Sequence, residues 1–90
     1  MRVARRYVIS GRVQGVGFRY FTEASAHREG IEGWVRNLPD GRVEVSAQAD
    51  EESLDRFERA IRHGPPGAHV DGVEVFDDVP GGGGAGFSVR

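Results

Sequence analysis

The alternation of apolar and polar residues predicts a strand and then a β-hairpin in the first half of the chain. The stretch from Arg5 to Val13 is rich in β-branched and aromatic residues, which favours a strand. Two further alternating stretches, Ile31–Asn37 and Arg42–Ala49, flank the sequence Pro39–Gly41. Because Pro-Asp-Gly is a strong turn signal, these two stretches are predicted to pair as a hairpin.

Two other stretches have the length and spacing of helices. The first runs from Phe18 to Gly30, with a thin apolar stripe and a glycine suited to the helix end. The second runs from Asp50 to Gly64, and Asp50 is expected to cap its start. Apolar residues recur in the second helix at helical spacing, namely Leu54, Phe57 and Ile61.

The order of these elements predicts the fold class. The stretch His69–Val79 supplies a fourth strand, and Phe87–Arg90 could add a short terminal one. The run Gly81–Gly84 is followed by neither a helix nor a lysine, so it is interpreted as a mobile connection. The order βαββαβ predicts an α+β, ferredoxin-like sandwich, a four-stranded antiparallel sheet with two helices on one face. Residues 1–90 are expected to form a single domain. This fold carries many unrelated functions.

Composition excludes several classes of function. The chain of 90 residues has no cysteine, which rules out disulfides, thiolate chemistry and cysteine-ligated metals. Its net charge of -2 argues against a general nucleic-acid binder, and no apolar run is long enough for a membrane span or a signal peptide. A cytoplasmic protein is therefore expected. The histidines His27, His63 and His69 share no ligand spacing, so no metal site is predicted.

The glycine-rich stretch Gly11–Arg19, "GRVQGVGFR", is the strongest candidate for chemistry. It is not a P-loop, since Val16 stands at the required glycine position and the chain has no lysine. It is not a dinucleotide fingerprint either, since Tyr20 replaces the third glycine. Glycines before a helix can still turn backbone N–H groups toward an anion. Arg19 could add two parallel hydrogen bonds to the same anion. On the residues alone, a glycine-rich bend with a surface arginine is an equal alternative.

Together with "GWVRNLPDGRVEV" (Gly33–Val45) and "GPPGAHVDGVEV" (Gly64–Val75), this stretch resembles the acylphosphatase family over essentially the whole chain. The resemblance implies hydrolysis of acyl phosphates to a carboxylate and inorganic phosphate, without metal or cofactor. It implies that Arg19 binds the phosphoryl group and that Asn37 orients the attacking water. It also implies a cradle for the phosphoryl oxygens from the backbone of Gln14, Gly15, Val16, Gly17 and Phe18.

The resemblance further implies a monomer with a small acyl phosphate as its substrate and with phosphate or sulfate as product or analogue. No nucleic acid or membrane partner is expected. One rival is a non-catalytic binding module on the same fold, such as an RNA-recognition domain, which would need exposed aromatic residues on the sheet. The middle strands offer only Trp34, and it is interpreted as packing or surface cover. Another rival is the carbamoyl-phosphate-handling domain of hydrogenase-maturation carbamoyltransferases. Glu29 departs from the family, which favours an apolar residue there, and so puts local stability in doubt.

Overall fold

The computed structural model describes residues 1–81 and 86–90, and within these residues the chain forms five strands and two helices. The predicted connection Gly81–Gly84 is described only at Gly81, and its other three residues lie outside the described ranges. The helices are α1 (Phe18–Glu29) and α2 (Glu51–His63). The strands are β1 (Arg2–Arg12), β2 (Glu32–Asn37), β3 (Val43–Asp50), β4 (His69–Asp78) and β5 (Phe87–Val89).

The prediction of a four-stranded antiparallel sheet is wrong in the number of strands. The described strands form one sheet in the order β4-β1-β3-β2-β5, and β5 pairs parallel to β2 while all other pairs are antiparallel. Burial explains why a strand of three residues forms at this edge. Phe87 is buried, and its ring centroid lies 6.1 Å from that of Phe57 in an edge-to-face arrangement.

Both helices pack on the same face of the sheet, as the sequence predicts. Tyr7 and Ile9 of β1 are fully buried there, and the ring of Tyr7 meets that of Phe57 edge-on at 6.1 Å. The three apolar residues predicted for the inner face of α2 are also fully buried: Leu54, Phe57 and Ile61. The inner face of α1 is small and partly polar, and consists of Phe18, Thr22, Ser25 and Ala26.

The other face of the sheet carries arginines, an indole ring and a buried carboxylate. Glu44 is only 8% exposed and accepts hydrogen bonds from Arg6 Nη1 at 3.0 Å and Arg36 Nε at 2.6 Å. The guanidinium of Arg36 also lies over the Trp34 ring, 5.2 Å from its centroid. Trp34 therefore covers the open face of the sheet, as the sequence predicts, and Glu44 balances part of the basic charge around it.

One expectation about the helices, the cap at Asp50, needs revision. Asp50 stands at the N-cap position of α2, but its side chain makes no capping hydrogen bond. Its Oδ1 lies 3.5 Å from the amino group of Met1 instead. Glu29 accepts a hydrogen bond of 2.7 Å from Arg56 Nε, and this pairing raises the pKa of Arg56. The polar residue at the end of α1 thus serves as a link to α2.

Candidate active site

The glycine-rich loop connects β1 to α1 and is anchored in the core at its far end. Gly15 and Gly17 both have φ of +76°, the left-handed conformation that glycine adopts without steric cost. Phe18, the first residue of α1, is 1% exposed, and its carbonyl accepts a hydrogen bond of 2.9 Å from Thr22 Oγ1. The loop therefore turns sharply on two glycines before a fixed hydrophobic anchor.

The main-chain N–H groups of this loop are available to a ligand. Within the described part of the chain, the N–H groups of residues 14–18 donate to no protein acceptor. The first turn of a helix leaves its N–H groups unpaired and carries the positive end of the helix dipole. Because Gly17 is the N-cap of α1 and offers no side-chain acceptor, these donors remain free for an anion.

Arg19 is held by Arg90, the residue that follows the edge strand β5. Its Nη1 donates a hydrogen bond of 2.8 Å to the main-chain oxygen of Arg90, which leaves further guanidinium donors for a ligand. Arg90 is itself fixed, because its N–H donates to Val35 O at 2.8 Å. Its guanidinium also lies 4.6 Å from the ring centroid of Trp34. Sequence reasoning missed the contact between Arg19 and Arg90, because a hydrogen bond to a main-chain oxygen leaves no motif in the sequence.

Asn37 reaches the site from β2. It is the last residue of that strand, opposite Val43 in the register, and its side chain has no hydrogen-bond partner in the described ranges. The side chain of Gln14 connects this hairpin to the loop. Gln14 Nε2 donates to the carbonyl oxygens of Leu38 at 2.8 Å and Arg42 at 3.0 Å. The two predicted motifs are thus hydrogen-bonded to each other.

The predicted turn at Pro39–Gly41 closes the hairpin beyond Asn37. Leu38 N–H donates to Arg42 O at 2.8 Å, and Gly41 has a φ of +97°. The N–H of Arg42 donates to Asp40 Oδ1 at 3.0 Å, and its guanidinium adds a second bond to Asp40 Oδ2. The main-chain N–H of Arg42 and then its guanidinium hold the pKa of Asp40 below its usual range.

A cavity of about 100 Å³ brings the candidate residues together, lined by Val13, Gly15, Gly17, Phe18, Arg19, Tyr20 and Asn37. Two larger cavities lie elsewhere, one on the open face of the sheet and one beside the start of α2, and neither contains Arg19 or Asn37.

Gln14 and Val16 do not line this cavity. Gln14 turns its side chain to the hairpin, and Val16 packs against the core. Sequence reasoning missed Val13 and Tyr20 as lining residues, although each lies beside a residue of the predicted loop.

Side chains that could act as acids or metal ligands are not gathered here. No carboxylate or imidazole is among the residues that line the cavity. Over residues 1–81 and 86–90, no three histidine, aspartate or glutamate side chains are grouped so that they could hold a metal ion. Neither α1 nor α2 has the length and apolar character needed to cross a bilayer. The site therefore consists of main-chain donors, one guanidinium and one amide.

A model of the family described as acylphosphatase matches residues 5–89. The chain belongs to the acylphosphatase family. An acylphosphatase of Rubrobacter xylanophilus is 51% identical over 85 residues, which make up 94% of this chain and 77% of that relative. The resemblance inferred from the two motifs is thus confirmed.

Solved structures give the same result. The crystal structure of acylphosphatase from Bacillus subtilis matches with a TM-score of 0.94 and 39% identity, over 98% of both chains. Full-length HypF in its phosphate- and nucleotide-bound form matches with a TM-score of 0.86 and 27% identity, but the match covers only 12% of that chain. Family, identity and coverage together support acylphosphatase as the enzymatic function, and they do not favour the binding-module alternative.

Proposed function

We propose that this acylphosphatase cleaves the carboxyl–phosphate bond by in-line attack of water, with Arg19 on the phosphoryl group and Asn37 on the water. The observation that carries the proposal is the cavity shared by the loop, Arg19 and Asn37. Residues 18 positions apart in the sequence meet there, and each offers a group with free hydrogen-bonding capacity. The chemistry requires both groups at one reacting centre.

The loop and Arg19 supply charge stabilisation. Phosphoryl transfer spreads negative charge over three oxygens and asks the protein mainly for positioning and electrostatic stabilisation. The free N–H groups of residues 14–18 and the fork of Arg19 provide both at the positive end of α1. Gln14 and Val16 belong to this cradle through their main-chain N–H groups, since their side chains face away from the cavity.

Asn37 supplies the position of the nucleophile. The water oxygen bonds to phosphorus while the bond from phosphorus to the acyl oxygen breaks, and the electron pair leaves with the carboxylate. The protons of the water pass to phosphoryl oxygens or to solvent. A carboxylate leaves without being protonated, so the reaction has no need of a general acid. The neutral amide of Asn37 can hold the water without repelling the phosphoryl charge.

This mechanism needs no metal or cofactor, and it fits a single copy of the chain. Arg19, Asn37 and the loop all come from one chain, so the proposed site needs no residue from a second copy. The radius of gyration of 11.8 Å agrees with about 12 Å for one domain of this length. The absence of cysteine from the sequence agrees with a protein of the cytoplasm.

The decisive experiment measures phosphate release from acetyl phosphate, with carbamoyl phosphate as a parallel substrate, in the presence and absence of excess chelator. We expect turnover of acetyl phosphate that the chelator leaves unchanged. Activity that disappears with chelator and returns with Mg²⁺ or Zn²⁺ would contradict the metal-free mechanism. Turnover of carbamoyl phosphate alone would instead assign the site to the carbamoyl-phosphate chemistry weighed as a rival.

A further inference from the structure

The amide of Asn37 is not fixed by a hydrogen bond of its own. Within the described ranges its side chain has no hydrogen-bond partner. Asn37 is the last residue of β2, and its pair with Val43 is the last pair between β2 and β3. The chain then enters the turn that begins at Leu38. The place of the Asn37 amide therefore depends on what holds this turn.

The side chain of Gln14 holds both ends of the turn to the glycine-rich loop. Its Nε2 donates to Leu38 O at 2.8 Å and to Arg42 O at 3.0 Å. An amide nitrogen has two N–H donors, so a single side chain can satisfy both carbonyl oxygens. Another contact from outside the hairpin, between Arg42 Nη1 and Glu74 Oε1 at 3.6 Å, joins two exposed side chains and contributes little.

The loop end of this link is fixed in the core. Val13 is buried, Val16 packs against the hydrophobic core, and Gln14 itself is half-buried. The N–H groups of the cradle begin at the same residue, Gln14. A shift of the turn relative to Gln14 is therefore a shift of Asn37 relative to the bound phosphoryl group.

We propose that Gln14 is a positioning residue whose side-chain amide sets the place of Asn37 relative to the phosphoryl cradle. This inference rests on the proposed function, because it concerns the water assigned to Asn37. Gln14 then serves both reactants, since its main-chain N–H faces the phosphoryl oxygens and its side chain places the neighbour of Asn37. Misplacement of a reacting group by about 1 Å can lower a rate about 10²-fold, so loss of the two bonds should lower kcat by about tenfold.

The experiment measures kcat for acetyl phosphate and the competitive inhibition constant of phosphate in the wild type, Gln14→Met and Gln14→Ala. Methionine is unbranched and close to glutamine in length, but it donates no hydrogen bond. We expect kcat to fall by about tenfold in both variants. The inhibition constant should stay near the wild-type value, because the main-chain donors and Arg19 are unchanged, and this value also shows that the site is folded.

Gln48→Met is the matched control. It removes a side-chain amide that accepts a hydrogen bond of 3.0 Å from the N–H of Gly81, on the open face of the sheet. Both kcat and the inhibition constant should stay at their wild-type values. An equal loss of kcat in Gln48→Met and Gln14→Met would overturn the inference, since the loss would then follow from removing any such amide.

A double variant tests whether Gln14 acts through Asn37. In an Asn37→Ala background, Gln14→Met should change kcat by less than about twofold, because the group that Gln14 positions is already gone. The inference is wrong if the tenfold loss persists in that background or if Gln14→Met has the wild-type kcat. It is also wrong if phosphate binding weakens in step with kcat, since the two bonds would then hold the loop. Wild-type kcat in Asn37→Ala alone would contradict the proposed function, and this inference with it.

Discussion

Arg19 and Asn37 reach the same cavity from different elements, and we expect their contributions to catalysis to separate. In the proposed mechanism Arg19 contacts the phosphoryl group in the ground state and in the transition state, so Arg19→Ala should weaken phosphate binding and lower kcat by about 10³. Arg19→Lys should restore little, since an ammonium cannot reproduce the planar fork. Asn37→Ala should lower kcat by about 10², or roughly 2.7 kcal/mol, with phosphate affinity near the wild-type value.

The measurement is kcat together with the competitive inhibition constant of phosphate, with circular dichroism as the control for folding. If Asn37→Ala loses phosphate affinity as far as Arg19→Ala does, Asn37 touches the phosphoryl group in the ground state. The assignment of the water to Asn37 would then be wrong.

Tyr7 is a buried residue whose hydroxyl should lower stability at alkaline pH. Within the described ranges its oxygen is buried and meets no acceptor or donor at hydrogen-bond geometry, although Arg5 and Glu58 lie beside it, and burial raises the pKa of Tyr7 to about 12. The unfolded chain ionises this group near pH 10. Stability is therefore fully present below about pH 10 and falls as the pH rises from there toward 12.

Tyr7→Phe should remove this alkaline loss and stabilise the protein by about 1 kcal/mol at neutral pH, since a buried unpaired hydroxyl is costly. Urea unfolding at pH 7 and near pH 11 measures both effects. Tyr20→Phe, which alters an exposed tyrosine, should leave the alkaline decline in place. A neutral-pH loss of stability in Tyr7→Phe would mean that the hydroxyl is hydrogen-bonded in solution.

Among the secondary-structure elements, β2 depends on a glycine where it approaches β3. A Cβ at Gly33 would lie 1.8 Å from the carbonyl oxygen of Ser46, and φ is +143°. Gly33→Ala should therefore push β2 away from β3 and destabilise the protein by about 3 kcal/mol or more. Because Asn37 ends the same strand, kcat should fall as well.

Gly72→Ala on β4 is the matched control. Its Cβ would meet nothing within 4 Å and its φ is not positive, so stability and kcat should stay near wild type. Urea unfolding and steady-state kinetics on both variants make the comparison. Equal effects in the two variants would show that the close approach at Gly33 is relieved by a small shift of the strands.

The sequence predicts most clearly those elements that are set by local patterns, and only weakly those that depend on tertiary contacts. Alternation and helical spacing indicated four strands and both helices, because each pattern must bury one face of its own element. The sequence indicates Phe87–Arg90 only as a possible terminal strand, because β5 is too short for such a pattern and forms through parallel pairing with β2. Parallel pairing between distant segments leaves no local signal.

The same distinction applies to the candidate site. The resemblance of the motifs to a known family pointed to Arg19, Asn37 and the loop, and the structure brings Arg19, Asn37 and part of the loop to one cavity. The hydrogen bonds of Gln14 to the hairpin and of Arg19 to Arg90 O span 24 or more positions and involve main-chain oxygens. Tyr20 lines the cavity without belonging to either motif, so the sequence does not distinguish it from an ordinary helix residue.

For the whole molecule, the cradle predicts that phosphate stabilises the fold. A ligand that binds only the native state raises the free energy of unfolding by RT ln(1 + [L]/Kd), which is about 2.7 kcal/mol at 100 times Kd. In a domain of this size, 1 kcal/mol raises Tm by roughly 4–8 °C, so saturating phosphate should raise Tm by about 10 °C or more. Sulfate should act in the same direction, since it offers the same tetrahedral oxygens to the loop.

Thermal unfolding of the wild type, Arg19→Ala and Asn37→Ala measures this shift, with sodium chloride at matched ionic strength as the control. We expect the shift to persist in Asn37→Ala and to be largely lost in Arg19→Ala, because only Arg19 is assigned to the bound anion. Since the shift reports equilibrium binding, it tests the cradle independently of turnover. For a monomer, Tm should also be independent of protein concentration. Equal phosphate shifts in all three proteins would contradict the assignment of the anion to Arg19, since Arg19→Ala would then bind it as well as the wild type does.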